Sequence, residues 1–207
     1  MVSEIVFRNS LLVFFLVFVA IWLRSFFLTG LSNSSFYTSN EGCISGMSFR
    51  TFLSLGIIGI LTYVYNPEWM QWSYIQVKPI VRLSGFVFGL CGTAFFIWAV
   101  KSLGKNFFAT LKMRKDHSLI TSGANKFSRH PMYISFISLW ICFSLLSANW
   151  FIGTSGFLSY TIIMLGRVPA EEKMLTEKFG DEYITYRNRT GLLLPRIVKK
   201  SNSDLRV

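Results

Sequence analysis

At 207 residues the chain has the length of one domain. Apolar residues make up 52% of it, aromatics 17% and charged residues only 15%, which excludes an ordinary water-soluble domain and points to the membrane class. The net charge of +11 surrounds apolar stretches with no nucleic-acid motif beside it, so a nucleic-acid-binding module is excluded as well. The cysteines, Cys43, Cys91 and Cys142, are odd in number and widely spaced, and fit neither a disulfide framework nor a zinc site.

The first apolar span covers roughly 5–28. Its thin basic start, long apolar run and lack of a small-residue cleavage site mark a retained helix rather than a signal peptide. Residues 31–48, rich in Ser, Asn and Gly, read as a loop. A second span over 49–66 stops at Asn66-Pro67, and Trp69, Trp72 and Tyr74 follow it as an interfacial aromatic belt. The third span, 80–103, carries Gly85, Gly89 and Gly92 near one face, where small residues permit close helix approach. A polar stretch follows, with Lys105, Lys112, Arg114, Lys115, Asp116, His117 and Lys126. Spans four (132–147) and five (150–167) are separated by little more than Ala148-Asn149, so they form a tight antiparallel hairpin. Each falls somewhat short of the ~20 residues of a full crossing.

At Arg167 the apolar pattern gives way to a charged one. Pro169 suits the first turn of a helix, and Glu171 and Glu172 suit the positive end of its dipole. Arg167 and Glu171, four apart, share a face if the helix runs through them. Gly180-Asp181 interrupts that helix and starts a second short one. Seven Lys/Arg lie between spans three and four and nine from Arg167 onward, together sixteen of 21. The hairpin puts both regions on one side, which the positive-inside rule makes cytosolic. The expected fold is all-α: one polytopic membrane domain over 1–207, with about five transmembrane helices and a C-terminal cytosolic amphipathic helix. Its cytosolic regions are 104–131 and 168–207, and its basic face suits anionic lipid headgroups.

Two polar segments converge at the cytosolic end of the hairpin. One holds Arg129-His130-Pro131-Met132-Tyr133, and the other runs from Arg167 to Arg187. Taken singly, His130 reads as a helix cap, Tyr133 as a belt residue, Arg167 as a snorkelling cation and the two glutamates as dipole partners. Ionisable groups gathered at a membrane edge are functional candidates together.

The pair R-H-P-x-Y and R-x-P-x-E-E-x-x-L-x-x-x-F-G-x-x-Y-x-x-Y resembles the isoprenylcysteine carboxyl methyltransferase family and the wider phospholipid-methyltransferase-like membrane enzymes. Arg129, His130, Pro131, Tyr133, Arg167, Pro169, Glu171, Glu172, Leu175, Phe179, Gly180, Tyr183, Tyr186 and Pro195 carry it, with Leu119 and Gly123 in an upstream L-x-x-x-G element. The chain departs from the pattern at Asn125, where the family often has an aromatic. It also departs at Leu192-Leu193-Leu194, which lacks a basic residue before the final proline. The resemblance covers about the last hundred residues. It implies S-adenosyl-L-methionine as cofactor and a lipophilic or lipidated acceptor entering from the bilayer, in bacterial plasma membrane or endoplasmic reticulum. By motif position, Arg167 anchors an acceptor carboxylate and Glu171 orients it. His130, Tyr133, Glu172 and Tyr186, with Leu119 and Gly123, hold the cofactor. Three alternatives stand beside this: methylation of an amine headgroup, a non-enzymatic membrane protein, and a sterol-type membrane reductase.

Overall fold

A computed structural model describes residues 4–30, 36–38, 43–106, 112–114 and 118–196. His117 and the basic tail beyond Arg196 lie outside them. The architecture is helical: α1 (Glu4–Gly30), α2 (Cys43–Tyr65), α3 (Pro79–Leu103), α4 (Pro131–Ser147), α5 (Trp150–Ile162), α6 (Val168–Phe179) and α7 (Asp181–Arg189). The strands among the described residues are two three-residue pieces, β1 (Phe36–Thr38) and β2 (Lys112–Arg114), paired antiparallel. Three helical stretches, Glu4–Ser25, Pro79–Leu103 and Trp150–Phe179, are long and apolar enough to cross a bilayer. Arg50–Tyr65 and Pro131–Ser147 are shorter apolar helices. Side chains such as Ile58, Leu61, Val87, Leu90 and Phe157 point outward. Helices this apolar on their outer faces need a lipid solvent, and the chain is an integral membrane protein.

The α3–α4 contact shows why the third span carries its glycines. A Cβ on Gly89 would lie 2.6 Å from the Phe14 ring and 2.8 Å from Cys142 Sγ, and one on Gly92 would lie 3.0 Å from Ser138 Cβ. Small residues here let two helices meet where the hydrophobic effect offers no drive between them. Trp140 uses the same device toward α2 and α5. Its indole fills space that a Cβ on Gly56 or Gly156 would occupy.

At one face of the bundle the turn at 148–149 is pinned: Asn149 caps α5 through the Ile152 N–H, and its side-chain amide donates to Ser73 Oγ at 2.8 Å. Here Trp69, Trp72 and Tyr74 are exposed, and Trp72 meets Trp150 edge-on, as an interfacial belt requires. The opposite face holds the β1–β2 ladder, which joins the α1–α2 and α3–α4 connections.

The end of the hairpin differs from expectation. No new helix begins at Pro169; instead α5 runs into α6 through a π-helical turn, Ile163–Arg167, giving one rod over Trp150–Phe179. Proline has no N–H for the carbonyl four residues back, and its ring clashes with that carbonyl. The wider turn, closed by the Val168 N–H on the Ile163 carbonyl, accommodates both effects. Gly180, at φ +53, then breaks the rod, and α7 follows as a separate element.

Candidate functional site

Arg129 ties the start of α4 to the end of α7. Its Nε meets Glu172 Oε1 at 2.7 Å, and its Nη1 donates to the carbonyls of Thr190 (2.5 Å) and Arg187 (3.2 Å). The backbone does the same: the Arg129 and His130 N–H groups donate to the carbonyls of Gly191 and Leu192, and Ser128 Oγ donates to the Leu192 carbonyl. Leu192 and Leu193 pack on Tyr133, Ile163 and Val168. Leu192 and Leu193 of the apolar run before Pro195 therefore cover this small core, while Leu194 is exposed.

His130 is buried between the two glutamates. Its Nε2 lies 3.4 Å from Glu172 Oε1 and its Nδ1 lies 3.9 Å from Glu171 Oε2. Its ring stacks on that of Tyr133. The Tyr133 hydroxyl donates to Glu171 Oε2 at 3.2 Å and also faces Arg167. The Arg129 guanidinium donates to the Glu172 carboxylate, which also faces the His130 ring. Burial raises Tyr186, to about 12, and its hydroxyl donates to the Asn125 carbonyl at 2.6 Å.

These groups open onto a cavity of about 450 Å³. At its polar end stand Asn125, Arg129, His130, Arg167, Glu171 and Tyr186. From there it continues between α1, α2, α4 and α5 past Phe18, Ile57, Trp140 and Leu139 to Phe15, Ile60 and Phe143. Tyr133 and Phe143 are ten residues apart on α4, so the apolar shaft is about 15 Å deep.

Of the residues singled out in the sequence, Leu119, His130, Tyr133, Arg167, Glu171 and Tyr186 line the cavity. Gly123 and Glu172 stand just outside it. Gly123 takes φ +61 so that the chain can turn against Ser102, whose Oγ accepts the Ala124 N–H at 3.0 Å. Glu172 accepts from Arg129 Nε at 2.7 Å and lies 3.4 Å from His130 Nε2. Arg129 was visible only as a motif position, because the carbonyls it bonds are about sixty residues away. The aromatics of α1, Phe15, Phe18 and Trp22, had no signal at all, since nothing in an apolar span distinguishes a cavity wall from a lipid-facing surface.

A sequence model of the isoprenylcysteine carboxyl methyltransferase family matches residues 83–177. Protein-S-isoprenylcysteine O-methyltransferase of Saccharomyces cerevisiae is 28% identical over 167 residues, which is 74% of this chain and 65% of that protein. The Homo sapiens protein of the same name is 30% identical over 139 residues, 66% of this chain and 47% of its own length. Methanethiol S-methyltransferase of Pseudomonas deceptionensis is 34% identical over 91 residues, 43% of this chain and 33% of that one. This chain thus spans from a third to two thirds of the length of these curated relatives. In fold it is similar to the solved eukaryotic intramembrane Ras methyltransferase, an isoprenylcysteine carboxyl methyltransferase. The TM-score is 0.51 at 21% identity, covering 77% of this chain and 55% of the other. Its paired motifs gather on one cavity within a bundle of that fold, and over residues 83–177 the chain is similar to the isoprenylcysteine carboxyl methyltransferase family.

Proposed function

We propose that this chain is an S-adenosylmethionine-dependent methyltransferase acting on the carboxylate of a lipophilic, isoprenylcysteine-like acceptor, with its site at the cytosolic face of the membrane. The observation that carries the reading is the form of the cavity, a single space polar at one end and lined by apolar side chains along the rest of its depth. A water-soluble donor and a membrane-dissolved acceptor can meet there, each from its own phase. The relatives' names supply the acceptor class. A thiol as small as methanethiol would leave the shaft without a use.

The residues present suit such a donor. Asn125 Oδ1 is buried without a protein hydrogen-bond partner beside the cavity, an acceptor suited to an amino or hydroxyl group. Glu171 offers a carboxylate to an ammonium, and Leu119, Ile120 and Leu175 offer apolar surface to a flat ring. Bound there, the sulfonium supplies an electrophilic methyl group. The acceptor carboxylate is ionised at neutral pH and needs no base. It does need a cation to hold it in line at the membrane edge, which a guanidinium does with two parallel hydrogen bonds. Arg167 is placed for this on the π turn. Its orientation is set by Tyr133, whose hydroxyl Glu171 engages from the other side. Alignment in a dry site is the main catalytic contribution, worth roughly 7–11 kcal/mol at its upper range.

The test is transfer of labelled methyl from S-adenosylmethionine to S-prenylcysteine analogues and to extracted lipids. The expected product is a base-labile ester, and Arg167→Ala is expected to lower kcat/KM at least about 30-fold, the low end of truncating one partner of a buried charge pair. A base-stable product would assign the amine chemistry. Failure of S-adenosylhomocysteine to bind at millimolar concentration in detergent would remove the enzyme reading altogether.

A further inference from the structure

A second polar cluster lies at the opposite face of the bundle, one helical turn beyond the inner end of the shaft. Arg82, near the start of α3, is buried there. Its Nη1 pairs with Glu4 at 2.7 Å, its Nη2 donates to the Leu146 carbonyl at 2.6 Å and to the Tyr63 hydroxyl at 3.1 Å, and its guanidinium lies 3.9 Å over the Phe7 ring. The Tyr63 hydroxyl donates in turn to Glu4. One arginine thus joins the first turn of α1, the last turns of α2 and α4, and the start of α3. Charges within hydrocarbon are costly unless paired and hydrogen-bonded, and this set is both.

Its position relative to the cavity gives it a use. Ile60 and Phe143 line the innermost part of the shaft. Tyr63 and Leu146 follow them by three residues on the same helices, and so stack directly beyond them. On α1, Leu11 lies between the wall residue Phe15 and the clasp residue Phe7; it is wholly buried in one cluster with Ile60 and Phe143. The shaft therefore ends against an apolar plug backed by an ion pair. Outward, α1 presents Val13 and Leu16 to lipid, so beside its apolar packing the clasp is what fixes this end of the wall.

We propose that Glu4, Arg82 and Tyr63 form the end-stop of the acceptor channel: they are positioning residues that set how long an apolar chain the enzyme accepts. The inference rests on reading the cavity as that channel. A chain reaching past Phe143 must push α1 away from the bundle, and the clasp opposes that movement. Weakening the clasp should extend the range of chains without touching the donor site, about 24 Å away along α4.

The experiment uses cysteine analogues carrying geranyl, farnesyl and geranylgeranyl chains, on wild type, Glu4→Gln, Tyr63→Phe and Glu4→Asp. Equilibrium binding of the labelled analogues, methyl transfer and S-adenosylhomocysteine affinity are each measured. In Glu4→Gln and Tyr63→Phe the ratio of kcat/KM for the longest chain to that for farnesyl should rise roughly tenfold, the low end of what one methylene commands in an apolar pocket. Donor affinity should equal that of wild type, which also reports a folded site, and Glu4→Asp should keep the wild-type ratio. Equal length profiles in all four proteins, or a loss of donor affinity in step with acceptor affinity, would overturn the end-stop. Chain-length-dependent binding that shifts in the variants without any methyl transfer would keep the end-stop and sink the proposed activity instead.

Discussion

Arg129 and Glu172, both largely buried, tie three segments of the site together. The guanidinium satisfies a carboxylate and two carbonyls at once, a geometry that the point charge of lysine cannot reproduce. Arg129→Lys should therefore weaken S-adenosylhomocysteine binding at least about tenfold, read by calorimetry in detergent, by freeing the end of α7 and the ring of His130.

Among the elements, the π turn and the α3–α4 seam were the features furthest from view in the sequence. The charge pattern located the place where the apolar run ends, but it said nothing of the extra width that Pro169 imposes on a helix that does not stop. Pro169→Ala restores an N–H for the Leu165 carbonyl and favours a regular α-helix. The expected result is an unchanged or higher Tm with kcat/KM lowered about tenfold, because Arg167 is turned away from Tyr133. The opposite split is expected in the seam. Gly89→Ala forces a methyl group onto Phe14 and Cys142 Sγ and should cost about 1–3 kcal/mol of stability, with donor affinity in the surviving folded fraction unchanged. Heptads or alternation could have foretold neither effect. Gly89 read as a residue permitting close approach; which helices approached was decided by Cys142 of α4 and by Phe14 of α1.

For the whole molecule, the basic connections should face the cytosol. In a cysteine-depleted background, a membrane-impermeant thiol reagent added to intact cells should label Gln71→Cys and leave Lys173→Cys unmodified until the membrane is opened; the reverse pattern would invert the topology. Apolar composition and the tight Ala148-Asn149 turn decide the membrane class and the helical hairpin, because the bilayer constrains every residue separately by its solvation. The motif segments are equally legible, since Arg129 to Tyr133 and Arg167 to Tyr186 each keep their chemistry within a few helical turns. That Glu172 reaches Arg129 and His130, that α1 walls the cavity and that Glu4 meets Arg82 belong to the tertiary structure alone. Those contacts join residues 42 to 78 positions apart, and only the packing of helices, with burial that makes an unpaired charge intolerable, selects such partners.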